Sequence, residues 1–335
     1  MIRSWANQID YKDHQIKILD GNILNWDHLI ICPGLHFFTP KSLQPLSGEA
    51  IYKMPHAFSS NDQIPILAHK IKHLPQGGTF AIVVVDEAST KNNNLKRRYP
   101  LAIYERTCLI AHWLQQHNPA SKLLLLDHQD HYPHQSYFDR IFEQFGGLIE
   151  WIPKNVLGAL KNIDTNNQVL YFNDYGQISA DLINLILPQK AGWVAEKNSL
   201  TNQNGFCPVS FFNMESTIEP NVYILGDAID GGEVKKSANS AIQQAQILIQ
   251  YLSQFHDLTP HEISQDPLQT SWLRTSHNNA IKIQHEQILL PDSSDYRVSK
   301  TQLTAPKDDR EALVFFEQSS KWFNHFANQC FQLKT

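Results

Sequence analysis

Apolar and polar positions set a strand period first along this chain, then alternate between helix and strand periods. Residues 15–19 alternate as a short strand does, Asp20-Gly21-Asn22 reads as a hairpin turn, and residues 26–32 form a second strand closed by Pro33-Gly34. Nothing before residue 15 offers the first strand an obvious partner, which is the expected state of a sheet cut open upstream. Ile64, Leu67, Ile71 and Leu74 recur at helical spacing and predict a helix over about 60–73, with Pro65 near its first turn. Residues 79–85, TFAIVVV, have the unbroken β-branched character of a buried parallel strand. An amphipathic helix over 104–117, a buried strand over 122–126 and a short helix over 137–145 follow. Residues 148–152, 156–162, 168–172 and 183–187 read as mostly antiparallel strands. This β-α-β order with a β-rich finish predicts a Rossmann-like unit inserted into the first one. Residues 221–225 are a further strand running straight into Gly226-Asp227. Ser240-x-x-Gln243 is a capping-box pattern for a helix with Ala241, Ala245, Leu248 and Leu252 on one face. From His256 the chain is polar and irregular until an aromatic-rich helix at 310–326.

Composition narrows the class of protein. With 335 residues, 42% of them hydrophobic, the chain can build two or three folded domains. A net charge of −5 gives no reason to expect nucleic acid or an anionic membrane as partner. No apolar run approaches the ~20 residues of a membrane span, and the opening MIRSWANQID lacks the apolar core of a signal peptide. The four cysteines, Cys32, Cys108, Cys207 and Cys330, form no Cys-x-x-Cys. Among the 14 glycines there is no Gly-x-Gly, so the turn that cradles a dinucleotide diphosphate is missing.

Several constellations resolve to bland readings. The turn after the 79–85 strand holds Asp86-Glu87 and no glycine, so it repels phosphate and argues against NAD(P). Lys96-Arg97-Arg98 reads as a solvated loop face. Asp127, His128, Asp130, His131 and His134 fit no standard zinc spacing, and no metal is expected. Cys207 precedes Pro208, and Cys108 sits on a helix; both read as structural.

LIICPG (29–34), MPHAF (54–58), YERTCLIAHWLQQHNPASKLLLLD (104–127), ADLINLILPQKAG (180–192), GFCPV (205–209) and ILGDA-to-SANS (224–240) come in order. Together, at comparable spacing, they resemble the flavoprotein subunit of flavocytochrome c sulfide dehydrogenases. That family lies within the broader sulfide:quinone and disulfide reductase fold group. The resemblance implies an α/β two-dinucleotide-binding-domain flavoprotein. An FAD domain would cover 1–76 and 195–255, without its first strand-helix-strand. A Rossmann-like domain would cover 77–194, and a C-terminal α+β interface domain 256–335. It implies FAD, with Asp227 after Gly226 bonding a ribityl hydroxyl and Pro33-Gly34 lying against the cofactor. The amides of Ser237, Ala238 and Asn239 would face the pyrimidine end of the flavin. Trp322 would approach the flavin or the partner subunit. The activity it implies is two-electron sulfide oxidation at a disulfide, with electrons passed to a cytochrome c subunit in the periplasm.

Three departures stand against that activity. The opening phosphate-binding segment is absent, and the two redox-cysteine positions hold Tyr99 and Ile229, which cannot do thiolate chemistry. No catalytic residue carries over. The expectation is an FAD-dependent oxidoreductase without the cysteine route, or a non-catalytic chain that keeps the scaffold and partner surface. The cut sheet should leave edges at 29–32 and 222–225 unprotected, predicting aggregation or a covering chain in a homo- or hetero-oligomer.

Overall fold

The computed structural model of the chain describes residues 2–43, 46, 49–58, 62–85, 101–232, 236–255, 268–289 and 296–331. It opens with β1 (Ala6–Asp10), β2 (Gln15–Ile18) and β3 (Ile23–Asn25), an antiparallel meander. The strand at residue 15 therefore has a partner before it, contrary to the sequence reading. Ile9 lies opposite Ile16, and Asp10 closes the hairpin by accepting the N–H groups of Lys12 and Asp13. Only Ile9 of β1 is buried, so its pattern is too polar to read as a strand. The predicted strand over 26–32 is also divided: Trp26 stacks on His14 at 4.3 Å, and the chain bends before β4 (Leu29–Ile31). β5 (Leu35–Phe37), α1 (Ala50–Lys53) and α2 (Gln63–Lys72) follow, with Pro65 in the first turn of α2 where its missing N–H costs nothing.

The middle of the chain runs β6 (Thr79–Val84), α3 (Ala102–His117), β7 (Lys122–Leu126), α4 (Gln135–Glu143), β8 (Ile149–Ile152), α5 (Lys154–Leu157), β9 (Leu160–Asp164), β10 (Val169–Phe172), β11 (Gly176–Ser179) and β12 (Leu182–Ile186). Four strands make a wholly parallel sheet in the order β12-β6-β7-β8. Residues 148–152 and 183–187 are thus parallel rather than antiparallel; β12 is buried at every position, as a strand covered on both faces must be. The 156–162 reading splits, because Gly158 at φ +68° ends α5 and starts β9. β9, β10 and β11 form a separate antiparallel meander.

β13 (Gln189–Ala191) returns to pair with β5, and α6 (Trp193–Lys197) leads on to β14 (Val222–Ile224), parallel to β4. α7 (Ala238–Ser253) follows. Beyond it the chain is more regular than its polarity suggests: β15 (Leu268–Arg274), β16 (Ala280–Leu289) and β17 (Tyr296–Thr304) form an antiparallel sheet that α8 (Asp309–Phe331) covers. Leu273, Ile281 and Ile283 from that sheet enter the same apolar cluster as α2, α3 and α4. The C-terminal layer is therefore packed onto the middle one. No helix among the described residues is long and apolar enough to cross a membrane.

Candidate functional site

β4 and β14 run side by side, and Leu225 N–H donates to the Ile31 carbonyl at 3.1 Å. Pro33-Gly34 and Gly226-Asp227 therefore leave the same edge of the sheet, the carboxyl edge where ligands gather in open α/β sheets. Gly34 and Gly226 take φ +63° and +83°, a region L side chains avoid, and neither faces an atom within 4 Å where a Cβ would stand. The two turns thus border open space. Gly192 fixes the first from below: its N–H donates to the Gly34 carbonyl at 2.8 Å, and a Cβ there would stand 2.0 Å from the Pro33 carbonyl oxygen. Asp227 lies half-buried in the single 3-10 turn of residues 226–228.

The start of α7 packs against that turn. Its cap is Ser237, whose Oγ accepts the Ser240 N–H at 3.2 Å, so the helix opens three residues before the Ser240 box read from the sequence. Gln244 accepts the Gly226 N–H at 2.6 Å and ties helix to turn. Lys236, 6% exposed, donates to the carbonyls of Asp227 and Ile229 at 2.7 Å each and lies 4.3 Å over the Phe206 ring. Asn239 donates to the Thr270 carbonyl at 2.5 Å, joining the site to β15.

Pro33, Gly34, Gly226, Asp227 and the Ser237–Ala238–Asn239 helix start are thus gathered in one region. Trp322 stacks on Phe326 of its own helix at 5.7 Å. Tyr99 lies outside the described residues. Ile229 is buried and bridges the backbone of Cys207. Burial pushes the Cys207 thiol up to about 12, which favours the protonated form. Burial likewise raises Cys108. No group of three or more metal-ligating side chains occurs among the described residues.

Sequence reading passed over the residues that hold the layers together. Consecutive side chains of α3 reach three different parts of the protein. Tyr104 donates to Asp127 at 2.7 Å. Glu105 accepts the backbone N–H of Arg274, on β15, at 2.8 Å. Arg106 donates to the carbonyls of His56 and Ala57 and to Asn184, and its guanidinium lies 3.8 Å over the Phe58 ring. The signal was the ionisable pair on the inward face of a helix, where charge needs a partner. His56, held by Gln63 at its N–H, falls to about 4 through burial and the Arg106 charge, so it is neutral at physiological pH.

Burial pushes the Glu105 carboxyl up to about 7, against the opposing pull of the Arg274 N–H and the two guanidinium groups. Its folded form favours the bound proton, so this stabilisation is complete below the unfolded carboxyl pKa and is lost as pH rises through about 7. Glu105→Gln should flatten the thermal-stability profile between about pH 4 and 7. It should also exceed the wild type above pH 7 by about 1 kcal/mol, allowing for screening. Scanning calorimetry across that range reads it.

Asp127 ends β7, the second strand of the parallel sheet, where the acid of a dinucleotide-binding unit reaches a ribose. Here it is turned inward, accepting Tyr104, Trp151 at 3.1 Å and the Gln129 N–H at 3.2 Å, with His128 at 3.0 Å. Burial opposes its charge, but those donors outweigh it and hold the carboxyl below its usual range.

Residues 64–188 match the family model of the sulfide dehydrogenase (flavocytochrome c) flavoprotein chain, central region. The resemblance read from the sequence is borne out there. Among solved structures, the sulfide:quinone oxidoreductase of the hyperthermophilic bacterium Aquifex aeolicus matches with a TM-score of 0.69 and 12% identity, over 98% of this chain and 75% of that one. A chain of the Tetrahymena thermophila mitochondrial ATP synthase matches at 0.63 and 15%, over 98% and 79%. Putidaredoxin reductase, in its covalent complex with putidaredoxin, matches at 0.60 and 12%, over 94% and 75%. These likenesses show that the chain shares its α/β fold, with parallel sheets, with those proteins, and the fold alone does not assign the chemistry.

Proposed function

We propose that this chain, built through its centre like the flavoprotein chain of sulfide dehydrogenases, is an electron-transfer flavoprotein that works without a redox disulfide. The observation that carries this reading is the pair of adjacent strand tips: two left-handed glycines bordering open space, with Asp227 beside one of them. These residues suit the ribityl and isoalloxazine half of FAD. Asp227 would accept from a ribityl hydroxyl, and Pro33-Gly34 would line the other side. The positive end of α7, with Ser237, Ala238 and Asn239, favours negative charge nearby. When bound, FAD supplies two-electron uptake and one-electron release. The protein contributes orientation, exclusion of water and a positive local field.

Transfer would run to a haem protein of the cytochrome c type, in the periplasm where the family's subunit works. Two features favour that acceptor over NAD(P). The inward-turned Asp127 is committed to Tyr104 and Trp151, and the sequence after β6 offers no glycine to approach phosphate. Sulfide oxidation by the family's route is not part of the proposal, because Ile229 occupies the second redox position. A second reading, a non-catalytic scaffold, is favoured by the same Ile229 and by polar groups already satisfied within the protein. Gln244 takes the Gly226 N–H, and Asn239 is bound to Thr270.

Titration of the purified chain with FAD separates the two. The flavoprotein reading predicts saturable quenching of flavin fluorescence at one FAD per chain. It also predicts that the chemically reduced complex reduces added ferricytochrome c and leaves NAD(P)+ untouched. A folded chain that leaves flavin fluorescence unquenched, and is colourless once free FAD is removed, overturns it in favour of the scaffold.

A further inference from the structure

The carboxyl edge of the parallel sheet β12-β6-β7-β8 opens on a cavity. Residues 83–85 at the tip of β6 and 126–128 at the tip of β7 line it, together with residues 157–160 and Phe172 of β10. Backbone hydrogen bonds hold these segments in place. Val85 N–H donates to the Ile186 carbonyl at 2.9 Å, Asp127 N–H to Ile152 at 3.0 Å and Lys154 N–H to Gln129 at 3.2 Å. Gly158 N–H donates to Lys154 at 2.8 Å, and the Ala159 carbonyl accepts from Asn173 at 2.9 Å. The cavity is therefore preformed, and it sits where ligands gather in open α/β sheets.

Its size limits what can enter. The cavity measures about 60 Å³, where a single water takes up roughly 10–15 Å³. That is room for about four to six waters, or for an organic molecule of as many heavy atoms. A nucleotide is several times larger.

Its chemistry limits the occupant further. Leu126, Leu157 and Phe172 make the lining largely apolar, and Ser42, Asp127, His128 and Lys154 are its polar members. Asp127 is the one acid, and it is already saturated. Its Oδ2 accepts Tyr104 and Trp151, while Oδ1 accepts the Gln129 N–H and faces His128 at 3.0 Å. Those four contacts use the roughly four acceptor sites of a carboxylate, so an incoming cation or donor finds none left. Lys154 contributes a positive charge with ammonium donors, and Ser42 a hydroxyl, which suit an anion. An inorganic oxyanion would lose its hydration against the apolar part of the lining without recompense.

We propose that this cavity binds a small monocarboxylate of about four to six heavy atoms, its carboxylate toward Lys154 and its apolar body against Leu126, Leu157 and Phe172. The site shares no residue with the Pro33-Gly34 and Gly226-Asp227 turns, so the inference does not rest on flavin binding.

An amide NMR titration of the full chain with butyrate, a carboxylate of about six heavy atoms, tests it. Binding should saturate with a Kd of about 1 mM. The resonances that shift should be those of residues 83–85, 126–128 and 157–160. Butyramide, of the same size without the charge, should bind about tenfold more weakly. Lys154→Gln should weaken butyrate by about tenfold and leave butyramide unchanged, while Lys154→Arg keeps most of the butyrate affinity. Butyrate that does not saturate, or that shifts only other residues, overturns the proposal. So does equal binding of butyramide or inorganic sulfate, or butyrate affinity unchanged in Lys154→Gln. Displacement of butyrate by NAD+ overturns it as well, since that would mark a nucleotide site.

Discussion

Arg106→Met should lower the stability of the chain by about 3–5 kcal/mol, the largest effect expected of any single surface-distant change here. The guanidinium satisfies two backbone carbonyls, those of His56 and Ala57, and the amide oxygen of Asn184, while stacking on Phe58. Methionine keeps the stem and the apolar contact but leaves three acceptors without a donor. Each such group costs about 1–3 kcal/mol when stranded away from water. Part of that sum is recovered by relaxation of the 54–58 segment, which brings the total to the stated range. A change of that size should lower the melting temperature by roughly 10 °C. Arg106→Lys should recover less than half, because a single ammonium cannot reproduce the planar fork that spans two chain segments. Thermal unfolding followed by circular dichroism reads both variants. A loss below about 1 kcal/mol for Arg106→Met would show that the clamp is dispensable.

The clamp also explains which parts of this structure were legible beforehand. The buried strands β6 and β7 and helix α3 follow directly from apolar runs and helical spacing, because their side chains meet only other apolar groups. The same is true of β14 and of Pro33-Gly34 as a strand end. Direction was not legible for β8 and β12: a short apolar run reads the same in a parallel and an antiparallel sheet, and only long-range register tells them apart. β1 and β15 to β17 were hidden because alternation was diluted by Gln, Ser, Lys and His on exposed or hydrogen-bonding positions. The site shows the same division. Gly226-Asp227 and Pro33-Gly34 announce themselves as turns, but their adjacency depends on a pairing between residues almost two hundred positions apart in the chain. Lys236 and Gln244, which brace the Gly226 turn, gave no signal, since a polar residue beside a helix start is ordinary in any sequence.

The account rests on Asp227 being a ligand for a sugar-alcohol chain rather than a turn residue alone. Riboflavin is the most direct probe, because it carries the isoalloxazine and ribityl groups and lacks the diphosphate for which this sequence has no Gly-x-Gly turn. Asn at 227 keeps the shape and removes the charge, so it weakens a charge-assisted hydrogen bond by about 1.5–3 kcal/mol. A fluorescence titration with riboflavin should therefore saturate with the wild type and be about 10- to 100-fold weaker with a folded Asp227→Asn chain. Equal binding by the two proteins, or none by the wild type, would contradict the account.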